Sequence, residues 1–268
     1  MAAQRRIARF QIILALLLAS PIPAAAQTSY LLSLEAGSNL LPWGNADHSA
    51  YLGLFGVASR PLGAEWQISL LQPANQDLTE ERRLVVFDTT VLAQHRAYSP
   101  SPLVRIAPSA GIVLPTSKRS RLEDSLYFGA RGVLRVSADL SSIPALSWLG
   151  AFLDLSGTRA FHQYETRISG GVNQQYRFSG WINFSASLGD RWRLSADLIR
   201  SANLSYQGAL RNRFSITETL SYQLKSGKSV SVGHTNEGDV LRANGLDSNI
   251  AIYGAYSSRA FISLALPF

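Results

Sequence analysis

The chain has 268 residues, with 25 lysines and arginines against 18 aspartates and glutamates, and no cysteine. A disulfide scaffold, a thiolate metal site and a cysteine nucleophile are therefore excluded together. Hydrophobic residues make up 46 % and charged residues only 16 %, below the roughly one quarter of charged residues in an average domain. The basic excess is spread along the chain with no dense Lys/Arg run interleaved with aromatics, so nucleic acid is not an expected partner.

Arg5, Arg6 and Arg9 precede an almost wholly apolar stretch, residues 12–19, which Pro21 and Pro23 interrupt before Ala24, Ala25 and Ala26. A basic start, a short apolar core and small residues at the cleavage position predict a cleaved secretory signal over residues 1–26 and a single mature domain over 27–268. The apolar run is well short of the roughly 20 residues that cross a bilayer as a helix. Losing three arginines and no acid lowers the net charge from +7 to +4. Later in the chain no apolar run is long enough for a helical span, and lipid then leaves only a closed barrel to satisfy every backbone group.

Segments of about ten alternating residues follow, separated by two kinds of connection. Short, turn-rich ones fall at 60–63, 99–102, 141–144, 189–190 and 225–228. Longer polar ones fall at about 38–48, 73–82, 116–124, 157–174, 204–211 and 236–257. Five short turns alternating with six long loops predict an all-β, antiparallel up-and-down transmembrane barrel of about twelve strands, within a range of ten to fourteen. Both termini then lie at the short-turn end. The first strand and the region near Phe161 are the least defined.

Period-two alternation is clearest in four segments. In 125–140, Phe128, Ala130, Leu134 and Val136 oppose Tyr127, Arg131, Arg135 and Asp139. In 176–188, Phe178, Ile182, Phe184 and Leu188 oppose Arg177, Ser179, Asn183 and Ser185. Residues 191–198 set Trp192, Leu194 and Leu198 against Arg193, Ser195 and Asp197, and 213–224 repeat the pattern. Trp66, Tyr98, Trp192 and Tyr222 sit beside the short turns, where an interfacial aromatic girdle belongs. Glu218 breaks the rule, because it shares parity with Phe214, Ile216, Leu220 and Tyr222. A bulge that shifts the register is the expected explanation; the alternative is a position where an outward polar group is useful.

At the C-terminus Ala260, Ile262, Leu264, Leu266 and Phe268 form an apolar row at period two. The row resembles the closing strand of Gram-negative outer-membrane β-barrels. That resemblance implies outer-membrane localisation, contact with lipid and lipopolysaccharide, and a membrane-insertion signal at Leu264, Leu266 and Phe268 read by the barrel-assembly machinery. Gly111-Ile112-Val113-Leu114-Pro115-Thr116 is similar to the Gly-x-x-Leu-Pro-Thr stretch of transporter-like barrels related to the phenol-degradation (MetA-pathway) family, with Ser117 where that family often continues with Gly. The similarity covers about thirty residues and implies uptake.

With the apolar parity outward, the lumen is predicted to be lined by Arg96, Arg105, Arg131, Arg135, Asp139, Arg177, Asn183, Arg193 and Asp197, with Glu35, Asp88 and Gln94. Arginine beside carboxylate gives a transverse field that favours small anionic or polar solutes. The same residues would alternatively pair and close a narrow lumen. The expectation is a narrow or gated channel; the alternatives are a structural or adhesive barrel and an outer-membrane lipid hydrolase. The last rests on Gly233-His234-Thr235-Asn236. It resembles the His-x-Ser-Asn motif of outer-membrane lipid hydrolases, but Asn236 stands in the nucleophile's place and cannot be activated by an adjacent base. No catalytic residue is therefore assigned. His48, His95 and His162 are scattered, and no metal-binding spacing or cofactor motif appears.

Overall fold

The computed structural model describes residues 28–79, 83–140, 143–242, 247–254 and 256–268. The predicted signal segment and parts of the connections expected at 73–82, 141–144 and 236–257 lie outside them. Fourteen strands are present among the described residues: β1 Ser29–Asn39, β2 Ala50–Leu62, β3 Trp66–Asp77, β4 Leu84–Val86, β5 Thr89–His95, β6 Tyr98–Ser101, β7 Val104–Leu114, β8 Leu126–Ala138, β9 Leu149–His162, β10 Gln174–Leu188, β11 Trp192–Ser205, β12 Leu210–Gln223, β13 Ser229–Asp239 and β14 Ser258–Pro267. A five-residue helix, α1 (Lys118–Leu122), sits between β7 and β8.

All pairings are antiparallel, and the ring closes through β1 against β14. Strands β4 and β5 both pair with β3 and are two halves of one stave, and β6 is a short extension against β7. The barrel therefore has twelve staves. Closure removes every sheet edge, which an open sheet in lipid could not tolerate. Tyr30 and Phe268 exchange both backbone hydrogen bonds, at 2.9 and 3.1 Å, and pin the termini together at the short-turn end.

The short turns at 60–63, 189–190 and 225–228 lie where the sequence puts them, within a few residues; residues 99–101 belong to β6, so that turn falls at 102–103, and residues 141–142 of the remaining one lie outside the described residues. Gly189 and Gly227 have φ of 74° and 79°, a conformation costly for residues with a Cβ. The long connections need correction at their edges. Residues 73–77, 157–162 and 236–239 are strand, because backbone pairing continues past the point where side-chain alternation fades. The connection expected at 204–211 is only a four-residue link between β11 and β12.

The outward parity is apolar and exposed. Leu134, Phe178, Phe184, Leu194, Val232 and Ile262 all present side chains away from the lumen, as a barrel that buries its outer surface in lipid requires. Leu264 and Leu266 share that face, and Phe268 extends beyond β14. Trp66, Trp192 and Tyr222 form an aromatic belt near the short turns, with the Trp192 and Tyr222 rings 4.8 Å apart. Tyr98 lies on β6 at the same end.

Candidate functional site: the inward face

Registers across β8, β9 and β10 place inward side chains in rows. One row, in the long-loop half of the barrel, is Arg131, Thr158 and Arg177. The next row but one towards the short turns is Arg135, Asp154 and Trp181. The two rows differ in charge. Arg135 grips Asp154 through two bonds, Nε to Oδ1 at 2.7 Å and Nη2 to Oδ2 at 2.6 Å. Its guanidinium also lies 4.6 Å from the Phe152 ring centroid. A bidentate pair of this kind is neutral to a passing solute. Arg131 and Arg177, in contrast, make no ion pair with any carboxylate among the described residues. Backbone spacing sets them two strands, or roughly 10 Å, apart.

The other predicted lining residues sort in the same way. Asp197 accepts hydrogen bonds from Trp181 Nε1 and Asn183 Nδ2, both at 2.7 Å on one oxygen. Arg105 pairs with Asp139 at the short-turn end. Arg193 faces inward between Ser187 and Ser221 at the same end, with no ion pair among the described residues. Arg96 lies just past β5, where its backbone N–H donates to Glu65 O at 2.6 Å. Gln94 and Glu35 keep inward parity. Asp88 lies at the break between β4 and β5, and its carboxylate accepts from the Ser117 N–H and the Ser120 hydroxyl, holding the start of α1.

By strand count the stave opposite β9 is β1. Around it lies a group that the sequence reading largely missed: Glu35, Tyr51, Glu237 and Arg259, all in the long-loop half. Tyr51 donates to Glu35 at 2.7 Å, and Arg259 pairs with Glu237 at 3.3 Å. They border a cavity of about 340 Å³ with Ser33, Phe55, Asn75 and Thr235. Glu237 and Arg259 escaped notice because one fell within, and the other just beyond, a segment read as loop. Asp154 was missed because its strand was undefined. Extending the Arg131/Arg135 parity across one more strand would have found it. The lumen thus has a basic wall over β8–β10 and, facing it, a wall with two carboxylates and one arginine.

The Gly111–Thr116 stretch closes the β4–β5 break. A Cβ on Gly111 would overlap Val91 O and crowd Leu92, so β5 and β7 approach there more closely than a side chain allows. Thr116 Oγ1 accepts the Thr89 N–H at 2.8 Å, and Gln72 Nε2 donates to Phe87 O at 2.8 Å. These bonds satisfy backbone groups that the interrupted ladder leaves open.

Glu218 required correction. The β11–β12 and β12–β13 registers run through it without a shift, so no bulge turns it inward. Instead His234 lies directly across on β13, and its Nδ1 is 2.9 Å from Glu218 Oε2. An adjacent hydrogen-bonding partner makes an outward carboxylate tolerable where a lone one would be costly. His234 is mid-strand, not at a rim. Ser258 lies across from Asn236 rather than from His234, and its hydroxyl accepts the Gly254 N–H at 3.0 Å. Among the described residues no serine bonds to His234.

Neither a protein-family model nor any curated protein matches the sequence. Solved structures do match in fold. An outer-membrane channel from Pseudomonas putida F1 superposes with a TM-score of 0.59 at 12 % identity, covering 92 % of this chain and 97 % of that one. NanC porin gives 0.53 at 11 % identity, covering 87 % and 97 %, and KdgM porin gives 0.50 at 11 % identity, covering 89 % and 99 %. At such identities the likeness is one of architecture, and this chain has the closed antiparallel barrel fold of outer-membrane channels and porins.

Proposed function

We propose that this barrel resides in a Gram-negative outer membrane, after removal of residues 1–26, and passes small anionic solutes. The observation that carries the reading is the pair Arg131 and Arg177, inward-facing and without carboxylate partners, opposite Glu35 and Glu237. Fixed positive charge on one wall and negative charge on the other orient a polar solute and favour an anion near the basic side. The channel fold supports this reading, as does the similarity of Gly111–Thr116 to transporter-like barrels of the phenol-degradation family. The apolar outward face and the Leu264, Leu266 and Phe268 row fit contact with lipid and lipopolysaccharide and recognition by the assembly machinery.

The test is single-channel conductance of the purified barrel in planar bilayers, with the reversal potential measured across a KCl gradient. Discrete, anion-preferring steps that lose their preference in Arg131→Ala/Arg177→Ala are expected. A folded barrel without steps would overturn the reading in favour of a closed structural barrel.

A further inference from the structure

Two arginines face away from the lumen. Thr158 and Arg177 point inward, so Arg159 on β9 has outward parity, registered against Ala130 of β8 and Tyr176 of β10. Trp181 points inward likewise, so Arg200 on β11 is outward, registered against Gly180 of β10 and Phe214 of β12. Among the described strand residues with outward parity in the long-loop half, only these two are basic. Both are exposed. None of those four neighbours is acidic, and neither guanidinium makes a hydrogen bond or an ion pair among the described residues.

Register sets their depth. Trp192 belongs to the aromatic belt at the short-turn end, and Arg200 lies eight residues further along β11. A strand rising about 3.3 Å per residue and tilted by about 40° climbs roughly 20 Å over that distance, close to the far edge of an apolar band about 25 Å tall. Arg159 stands beside Tyr176, twelve residues along β10 from Leu188, or roughly 30 Å above the short-turn end. Both arginines therefore sit where the apolar band meets the headgroups of the outer leaflet.

Arg159 is held in place by rings. Its guanidinium lies 4.9 Å from the Phe161 centroid and 5.6 Å from that of Tyr176, and Phe128 stacks on Phe161 at 4.6 Å and 19°. Aromatic faces attract the cation but consume none of its N–H donors. Beside Arg200, Gly180 carries no side chain, which leaves the sheet open between the two arginines. A guanidinium with unused donors is unfavourable against lipid unless an anion meets it. The protein wall supplies none here, and the planar fork of donors matches phosphate oxygens.

We infer that the outward face of β9–β11 at the long-loop end is a binding site for the phosphate of an outer-leaflet glycolipid of the lipopolysaccharide class, with Arg159 and Arg200 as its anion-binding residues. A lipid is the occupant because outward parity separates both arginines from the lumen. Its acyl chains lie against Leu155, Phe178 and Ile182, which share that face below them. Two strands and four residues separate the two Cα atoms, roughly 16 Å, so one glycolipid headgroup reaches both. The inference rests on the proposed outer-membrane placement and not on conduction; cell fractionation tests that placement separately.

The test is native mass spectrometry of the barrel in a non-ionic detergent with two matched probes, lipid A and lipid A stripped of its phosphates. Wild type is expected to retain the phosphorylated form about tenfold better, the order of one or two charge-assisted hydrogen bonds. Arg159→Gln/Arg200→Gln, shown folded by heat-modifiable electrophoretic mobility, is expected to bring the ratio close to one and leave retention of the stripped lipid unchanged. Each single variant is expected to keep about a threefold preference. Arg159→Lys/Arg200→Lys keeps the charge without the fork and is expected to retain a several-fold preference, which a loss caused by altered packing would not do. Equal retention of the two probes by wild type, or a preference that survives in the folded double glutamine variant, would overturn the inference. A barrel with the preference but no channel steps sustains it while overturning the channel reading.

Discussion

The row Arg131–Thr158–Arg177 and the row Arg135–Asp154–Trp181 occupy the same three strands, four residues apart along β8. Each presents arginine to the lumen at the same parity. In one row the charge is free, and in the other it is cancelled by a bidentate carboxylate. A row of inward arginines in a sequence is therefore not a row of equivalent charges. Neutralisation depends on which residue of the next strand the closed sheet sets opposite.

The comparison breaks most clearly if the upper charges are removed. A unit charge about 6 Å from a permeant ion in water contributes about 0.7 kcal/mol. Two such charges together therefore contribute about tenfold in anion preference. Arg131→Ala/Arg177→Ala is expected to lower the anion-to-cation permeability ratio by about that factor, and each single variant by about threefold, read from reversal potentials. A smaller change is expected when the lower row is made to resemble the upper one. Asp154→Asn removes the cancelling charge from Arg135 and should raise anion preference about threefold. Should the ratio stay fixed, Arg135 would be too remote from the solute path for the comparison to hold.

Deleting the lower pair together, as Arg135→Ala/Asp154→Ala, leaves the net charge of the wall unchanged. Its selectivity is expected to match wild type within twofold, while the unfolding free energy falls by about 1 kcal/mol. That figure is kept small because the Arg135 side chain is partly open to solvent. Denaturant titration of the refolded barrel measures it. The gentlest test is salt. Raising KCl from about 0.1 M to about 1 M shortens the screening length from about 10 Å to about 3 Å. The difference between wild type and the upper double variant should shrink accordingly, whereas a difference caused by altered pore shape would persist.

Much of the architecture was legible from alternation and turn chemistry. Gly189-Asp190 and 225–228 mark tight turns because their glycines must adopt positive φ. Strands β8 from Phe128 onward, β10 from Tyr176 onward, β11 and β12 keep the predicted parity, since lipid outside and polar lumen inside impose opposite demands on successive residues. Where a strand rises beyond the apolar band that demand lapses, and 157–162 and 236–239 were accordingly read as loop.

Glu218 shows the opposite case. The sequence marked it correctly as an anomaly, but its resolution lies sixteen residues away in His234. Neither residue type at its own position indicates the other, because cross-strand opposition depends on the length of the turn at 224–228.

The sequence by itself determined the barrel class, its approximate strand number and the faces to which most side chains turn. Those properties follow from period-two patterning and local turn geometry, which a linear chain carries within a few residues. Only the tertiary structure decided that Arg135 is neutralised while Arg131 and Arg177 are not, and that Glu35 and Glu237 face them across the lumen. It also placed Ala251 and Tyr253 of the last connection against Asn236 and His234 on the outer wall. Each of these depends on register and closure, which bring together groups far apart in the chain, and no local pattern encodes those distances.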